Sequence, residues 1–264
     1  PTPVDDVGQV EYYAYDDFLA AKKIASTDVS IVIPRRNWTT GTVYDYYRHD
    51  YGDINTAGST ITTDSGATSL YDATFYVMNS SFDVYKVIDN NGDSASTVEP
   101  SGNKSTSVFS TGDSYKWKYM YSLSASEQAN FLSTDFMHVS TESSDYSTTA
   151  GAIEHVKITA GGSGGTNGTH TGVAIRGDGS SGVCSVTVAG GAVTAVTVTT
   201  AGSGYTFAYI RNADIVSAGA TSLSGAELDV IIPPKGGHGA NAVEELGGHF
   251  VMMNTDFTGD ESCL

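Results

Sequence analysis

Cysteine, proline and positive charge are all scarce in this chain of 264 residues. Its 2 cysteines, Cys184 and Cys263, show neither a CxxC spacing nor a companion histidine pattern. A disulfide framework and a sequence-encoded zinc site are thereby excluded, and free thiols in a reducing compartment are expected. Lys and Arg number 13 against 30 Asp and Glu, a formal charge of −17 at pH 7. A field of that sign repels phosphate backbones and anionic headgroups, so neither nucleic acid nor a membrane surface is an expected partner. No apolar run approaches the roughly 18 residues that a membrane helix needs, and no charged-then-apolar leader opens the chain. With Pro1 at one end and Cys263-Leu264 at the other, both termini read as interior points of a longer polypeptide.

Apolar residues make up 39% and aromatics 10%, enough for a full core although 30 glycines dilute them. The densest structural signal is Tyr115-Lys116-Trp117-Lys118-Tyr119-Met120-Tyr121-Ser122, where aromatics at every second position suit a strand. Trp117, Tyr119 and Tyr121 are expected on one side of it, with Trp117 buried. Residues 75–78 and 82–88 read as two further strands joined by Asn79-Ser80-Ser81, a simple hairpin. Residues 15–26 read as a helix, with Asp16 and Asp17 in the first turn and Lys22 and Lys23 later, as the helix dipole favours. Ser124 and Glu127 form a capping box that opens a second short helix through Phe131 and Leu132.

Residues 151–216 differ in kind, being rich in Gly, Thr, Ser and Val and internally repetitive. The strand-to-turn stretch ending in Gly162-Ser163-Gly164 recurs ending in Gly202-Ser203-Gly204, and residues 183–188 and 192–199 form a pair about Gly190-Gly191. The expected architecture is mainly β: a two-layer β structure with a few surface helices, formed by residues 1–150 and 217–264, with 151–216 inserted as a small β-module. From about residue 227 the earlier pattern resumes, closing with a strand at 250–253.

No constellation for catalysis emerges, and the chain is not expected to be an enzyme. Asp89-Asn90-Asn91-Gly92-Asp93 has the spacing that opens a calcium loop, but Ser94 stands where the loop needs Gly and Pro100 where it needs a bidentate Glu. A turn is the economical account, and an extracellular calcium-dependent adhesion module loses its ligands. His238 and His249 bracket Glu244 and Glu245 without matching any helical metal motif, so loop histidines are expected and no metal or cofactor is assigned. Ser163 and Ser203 lack the nucleophile elbow, and Arg176-Gly177-Asp178 reads as a turn. The paired carboxylates Asp16-Asp17 and Glu244-Glu245 are merely adjacent in sequence. Arg35-Arg36, beside Pro34 and Trp38, is the one pair of adjacent arginines in an acidic chain and could clamp a carboxylate, either internal or on a partner.

Several blocks together carry a resemblance: Val32-Ile33-Pro34-Arg35-Arg36-Asn37-Trp38, Val84-Tyr85-Lys86-Val87-Ile88-Asp89, Ser96-Thr97-Val98-Glu99-Pro100, and Thr111-Gly112-Asp113-Ser114 running into Tyr115–Tyr121. In spelling, order and separation they resemble the dimeric baseplate wedge subunit of T-even-like contractile-tailed phages, the gene 8 product family. The likeness covers residues 15–140 and, more loosely, 227–257, where Pro233-Pro234-Lys235-Gly236-Gly237-His238-Gly239 and Glu245-Leu246-Gly247-Gly248-His249 are similar to the version in related marine phages. Residues 151–216 depart from the T-even form and resemble the Gly-Ser-Gly-Tyr-Thr β-modules of phage tail proteins. The resemblance implies a homodimer that sits in a virion tail baseplate beside other wedge subunits, is assembled in the bacterial host cytoplasm, and has no catalytic residue. A different class, a carbohydrate-binding or depolymerising tail protein, would need Tyr12, Tyr13, Tyr46 and Tyr47 exposed to stack on sugar rings.

Overall fold

The computed structural model describes residues 12, 13, 16, 22–54, 58–102, 104, 107–140 and 149–256. Strands take 36% of the chain against 11% for helices, so the protein is mainly β, and its named strand pairs are antiparallel. In the first half a four-stranded sheet runs in the order Tyr76–Met78, Asp83–Asp89, Lys116–Ser122, Phe109–Ser110. The expected hairpin is present: the Asn79 side chain accepts from the backbone N–H groups of Ser81 and Asp83, both at 2.9 Å, and so closes the turn. A second sheet orders Phe250–Met253, Val29–Pro34 and Phe136–His138.

The aromatic strand is buried on both faces rather than one. Tyr115, Trp117 and Tyr119 pack with Tyr44, Tyr85 and Val87, whereas Met120 and Tyr121 join Ile33, Phe75 and Ile88. Tyr121 therefore leaves the side expected for it. The register shifts between Val84 and Tyr85, which pair with Tyr121 and Tyr119, so Met120 is an extra residue that turns Tyr121 over.

Of the two expected helices, Ala125–Phe131 forms, and the Ser124 and Glu127 side chains each accept a hydrogen bond from the other residue's backbone N–H, at 2.7 and 3.3 Å. The 15–26 helix falls largely outside the described residues. Asp16 is helical, but Lys22–Ala25 are not, and Ser26–Asp28 make a single 3-10 turn. There the Asp28 carboxylate takes the Ala25 backbone N–H at 3.0 Å, turning the chain into the strand that begins at Val29.

A separate core holds the glycine-rich region. The pair about Gly190-Gly191 forms from Val183–Ala189 and Ala192–Thr200, with Gly168–Ala174 on the other side. Val156–Ser163 pairs with Ser224–Val230, so a boundary at residue 216 cuts through this sheet. The region runs on to Ile232: Val230 and Ile232 face its core while Ile231 between them faces the first, and the chain crosses from one core to the other at that point. The sequence repeat is also a backbone repeat. Gly162 and Gly202 have φ of 67° and 66°, and a Cβ on either would lie 2.5 or 2.4 Å from a facing carbonyl oxygen.

Trp117 is fully buried and stacks on Tyr115 with ring centroids 5.4 Å apart. Trp117→Ala is expected to destabilise the protein by about 3–5 kcal/mol in urea unfolding. A loss below about 1 kcal/mol would contradict a core organised around this strand.

Candidate functional site

Side chains from both cores meet along a charged seam. Asp83–Asp89 and Lys116–Ser122 pair so that Lys86 lies directly opposite Lys118, both of them buried. Like charges opposite one another on a sheet repel, so each lysine needs its own anion. Lys118 is held across the seam by both Glu154 oxygens, at 2.9 and 2.8 Å. Lys86 is held by Glu245, delivered by the short helix Ala242–Leu246. Its Nζ also donates to His238 Nδ1 at 2.8 Å and lies 4.6 Å from the centre of the Tyr47 ring. The other Glu245 oxygen accepts from the backbone N–H groups of Gly239 and Asn241, at 2.7 and 3.3 Å.

Farther along, Asp89 ends its strand and its Oδ2 lies 2.7 Å from His155 Nε2. Lys157, on the strand Val156–Ser163, reaches back with Nζ 3.6 Å from Asp89 and 2.7 Å from Asn90 Oδ1, while lying 3.8 Å from the centre of the Tyr46 ring. Asn90 Nδ2 donates to Asp64, to Asp93 at 3.2 Å and to the Tyr44 carbonyl at 3.1 Å. Arg48 adds a third crossing, binding Asp229 at 2.8 Å and its own neighbour Asp50. Two clefts open on the seam, one of about 310 Å³ lined by Asp89, Lys116, His155 and Lys157, the other of about 410 Å³ lined by Lys118, Glu154 and Val198.

Burial sets the protonation states here. Burial pushes the Asp89 carboxyl up, but its hydrogen bond with His155 and the charge of Lys157 more than reverse this, and it sits below its ordinary value. His155 is pulled down by burial more than Asp89 raises it, so it is neutral and donates. His238 is lowered well below its ordinary value by burial and by Lys86; with Nδ1 accepting from Lys86, Nε2 carries the hydrogen and has no partner among the described residues. The Asp64 carboxyl is pushed up to about 6 by burial and by its contact with Asp93, both beside Asn90.

The residues singled out in the sequence fare differently. Arg35 gives its guanidinium to Asn37 at 3.0 Å and to the Ser133 carbonyl at 2.8 Å. Arg36 bonds the Tyr71 carbonyl at 3.3 Å and lies over the Tyr76 ring, and Trp38 donates to Ser96 at 3.1 Å. The arginines thus hold carbonyl and amide oxygens, and among the described residues neither forms an ion pair. Asn91, Gly92 and Asp93 take left-handed backbone at the end of the strand, so Asp89–Asp93 is a turn whose first carboxylate already serves His155 and Lys157. Glu245 and His238 meet through Lys86, a residue no motif pointed to, while His249 stacks edge-on against Tyr71. Arg176 is bound to Asp214 at 2.6 Å, and Asp178 accepts from Thr206 and Phe207, hydrogen bonds that take its carboxyl down to about 2. Cys184 is buried and unpaired, its thiol pushed up to about 11 by burial; Cys263 lies outside the described residues. Among the described residues no three His, Cys, Asp or Glu side chains converge as a metal would need, and no helix is long and apolar enough to cross a membrane. No family model, curated protein or solved structure matches the chain.

Two outcomes follow from the seam. Glu245→Gln strands the buried Lys86 charge and is expected to cost about 3–5 kcal/mol, whereas Lys86→Met combined with Glu245→Leu should recover most of it. Equal loss in the single and double variants would refute the pairing. His138, His155 and His238 are all lowered by burial, so below about pH 6.5 the unfolded chain binds protons the folded one refuses. Their stabilisation, complete above that pH, falls by up to about 1.4 kcal/mol per histidine for each pH unit below it. The raised Asp64, between its ordinary value and about 6, and the raised Asp229 act in the opposite direction, and two groups against three do not reverse the trend. Thermal unfolding from pH 7 to pH 5 should show a falling midpoint, with a shallower fall in His155→Gln; a flat profile contradicts neutral buried imidazoles.

Proposed function

We propose that this chain is a structural subunit of a contractile phage tail baseplate, a wedge component that works by protein–protein assembly and turns over no substrate. It forms a homodimer beside other wedge subunits, in the virion. The observation that supports assembly most directly is the strand Phe250–Met253. It lies at the end of its three-stranded sheet, its outer edge paired by no described strand, with Phe250 49%, Val251 68% and Met253 58% exposed. An apolar strand with open backbone donors and acceptors is a template for pairing with another chain. Val29, on the neighbouring strand, continues the apolar patch at 37% exposure.

Three of the blocks behind the wedge resemblance run through Val29–Pro34, Asp83–Asp89 and Lys116–Ser122, strands that share the first half's packing. The carbohydrate-binding alternative loses half its platform, because Tyr47 is buried and Tyr46 lies beneath Lys157. Tyr12 and Tyr13 remain exposed.

Light scattering on the purified chain should give a dimer, with about 800 Å² buried on each partner as a stable interface requires. Val251→Lys should yield a folded monomer. A wild-type monomer would overturn self-association through this edge, and a trimer would point to a fibre or spike. Failure to co-assemble with the wedge subunits of its own phage would overturn the baseplate assignment.

A further inference from the structure

The contact between Lys157 and Asn90 has the parts of an amide-forming site. Lys157 is 8% exposed and Asn90 fully buried, and they come from opposite halves of the molecule. With Nζ 2.7 Å from Oδ1, the carboxamide carbon lies no more than about 4 Å from the amine, close to the separation of a near-attack pair. The orientation of the carboxamide is fixed by its donors, since Nδ2 faces Asp64, Asp93 and the Tyr44 carbonyl while Oδ1 faces the lysine. A carboxylate thus stands on the amine side, Asp89 at 3.6 Å, and two further aspartates, Asp64 and Asp93, stand on the side of the nitrogen that would leave. Structural ion pairing alone does not require that division.

We propose that Lys157 and Asn90 form an intramolecular amide bond that covalently joins the two halves of the protein. Asp89 takes a proton from the Lys157 ammonium, and the freed lone pair attacks Cγ of Asn90, moving the carbonyl electrons onto Oδ1. The adduct collapses with rupture of the Cγ–Nδ2 bond. Nδ2 takes a proton from the Asp64 carboxyl and departs as ammonia. Asp89 releases the first proton to water, takes the second from the attacking nitrogen and releases that too, and Asp64 is reprotonated from water. No oxidant or reductant takes part. The Asp64 carboxyl, pushed up to about 6, holds its proton near neutrality better than an ordinary aspartate, as a general acid requires.

Intact-mass spectrometry of the full chain, held folded at neutral pH, is expected to show a species lighter by one ammonia. Peptide mapping should then recover a branched peptide in which an uncleaved Lys157 carries the Asn90 fragment. Lys157→Arg and Asn90→Ala should both abolish the mass loss, and Asp64→Asn should slow it by roughly a hundredfold while leaving the fold intact. Unchanged mass in the wild type after prolonged incubation overturns the proposal. So does an ammonia loss that persists in Lys157→Arg, which would report succinimide formation at Asn91-Gly92 instead.

Discussion

Burial of lysine is the constraint from which most of the architecture follows. Lys86, Lys118 and Lys157 are all buried, in a chain with 13 basic residues altogether. A buried ammonium without a partner is among the costliest features a fold can carry, and two of these sit side by side on adjacent strands. Each therefore dictates where an anion or oxygen must be. Lys86 requires the helix that presents Glu245 and the glycine loop that presents His238; Lys118 requires Glu154 at the entrance to the second half; Lys157 requires the turn that presents Asp89 and Asn90. Two hydrophobic cores of ordinary composition would slide against one another freely. Charges buried between them permit one arrangement.

The same constraint explains which features were legible in the sequence. Local rules were sufficient where contacts are local: the 79–81 turn, the Ser124–Glu127 capping box and the pair about Gly190-Gly191 all rest on neighbours a few residues away, whereas the repeat's Gly162 and Gly202 face the distant carbonyls of Ser224 and Ser180. The one-faced reading of 115–122 failed because Lys116 and Lys118 looked like solvent-facing residues, and the Glu154 that buries Lys118 lies far along the chain. Tyr121 was misplaced by a bulge that no periodicity encodes. The boundary at 216 followed glycine content, whereas strand pairing carries the second region to Ile232. No motif marked Lys86, His155 or Lys157 as a site residue, and Asn90 was read only as part of a turn. The signal within reach was the conflict itself: a lysine set among aromatic and β-branched neighbours, as in Val84-Tyr85-Lys86-Val87-Ile88, reads as a buried strand interrupted by a charge.

Committing lysines to the interior also shapes the outside. With these cations paired internally, the acidic excess of the chain falls on its surface, and two copies approaching at random meet like charge. The self-association proposed above would then proceed where charge is absent. Phe250–Met253 is such a place: a four-residue run with no ionisable side chain, at the edge of a sheet, extended by Val29 on the neighbouring strand. Edge pairing of the kind proposed above would supply backbone hydrogen bonds that the general field does not weaken. Internal pairing of cations would then serve that proposed self-association as well, since the charges removed from the surface to hold the cores together are those that would otherwise blur which face a second copy can meet.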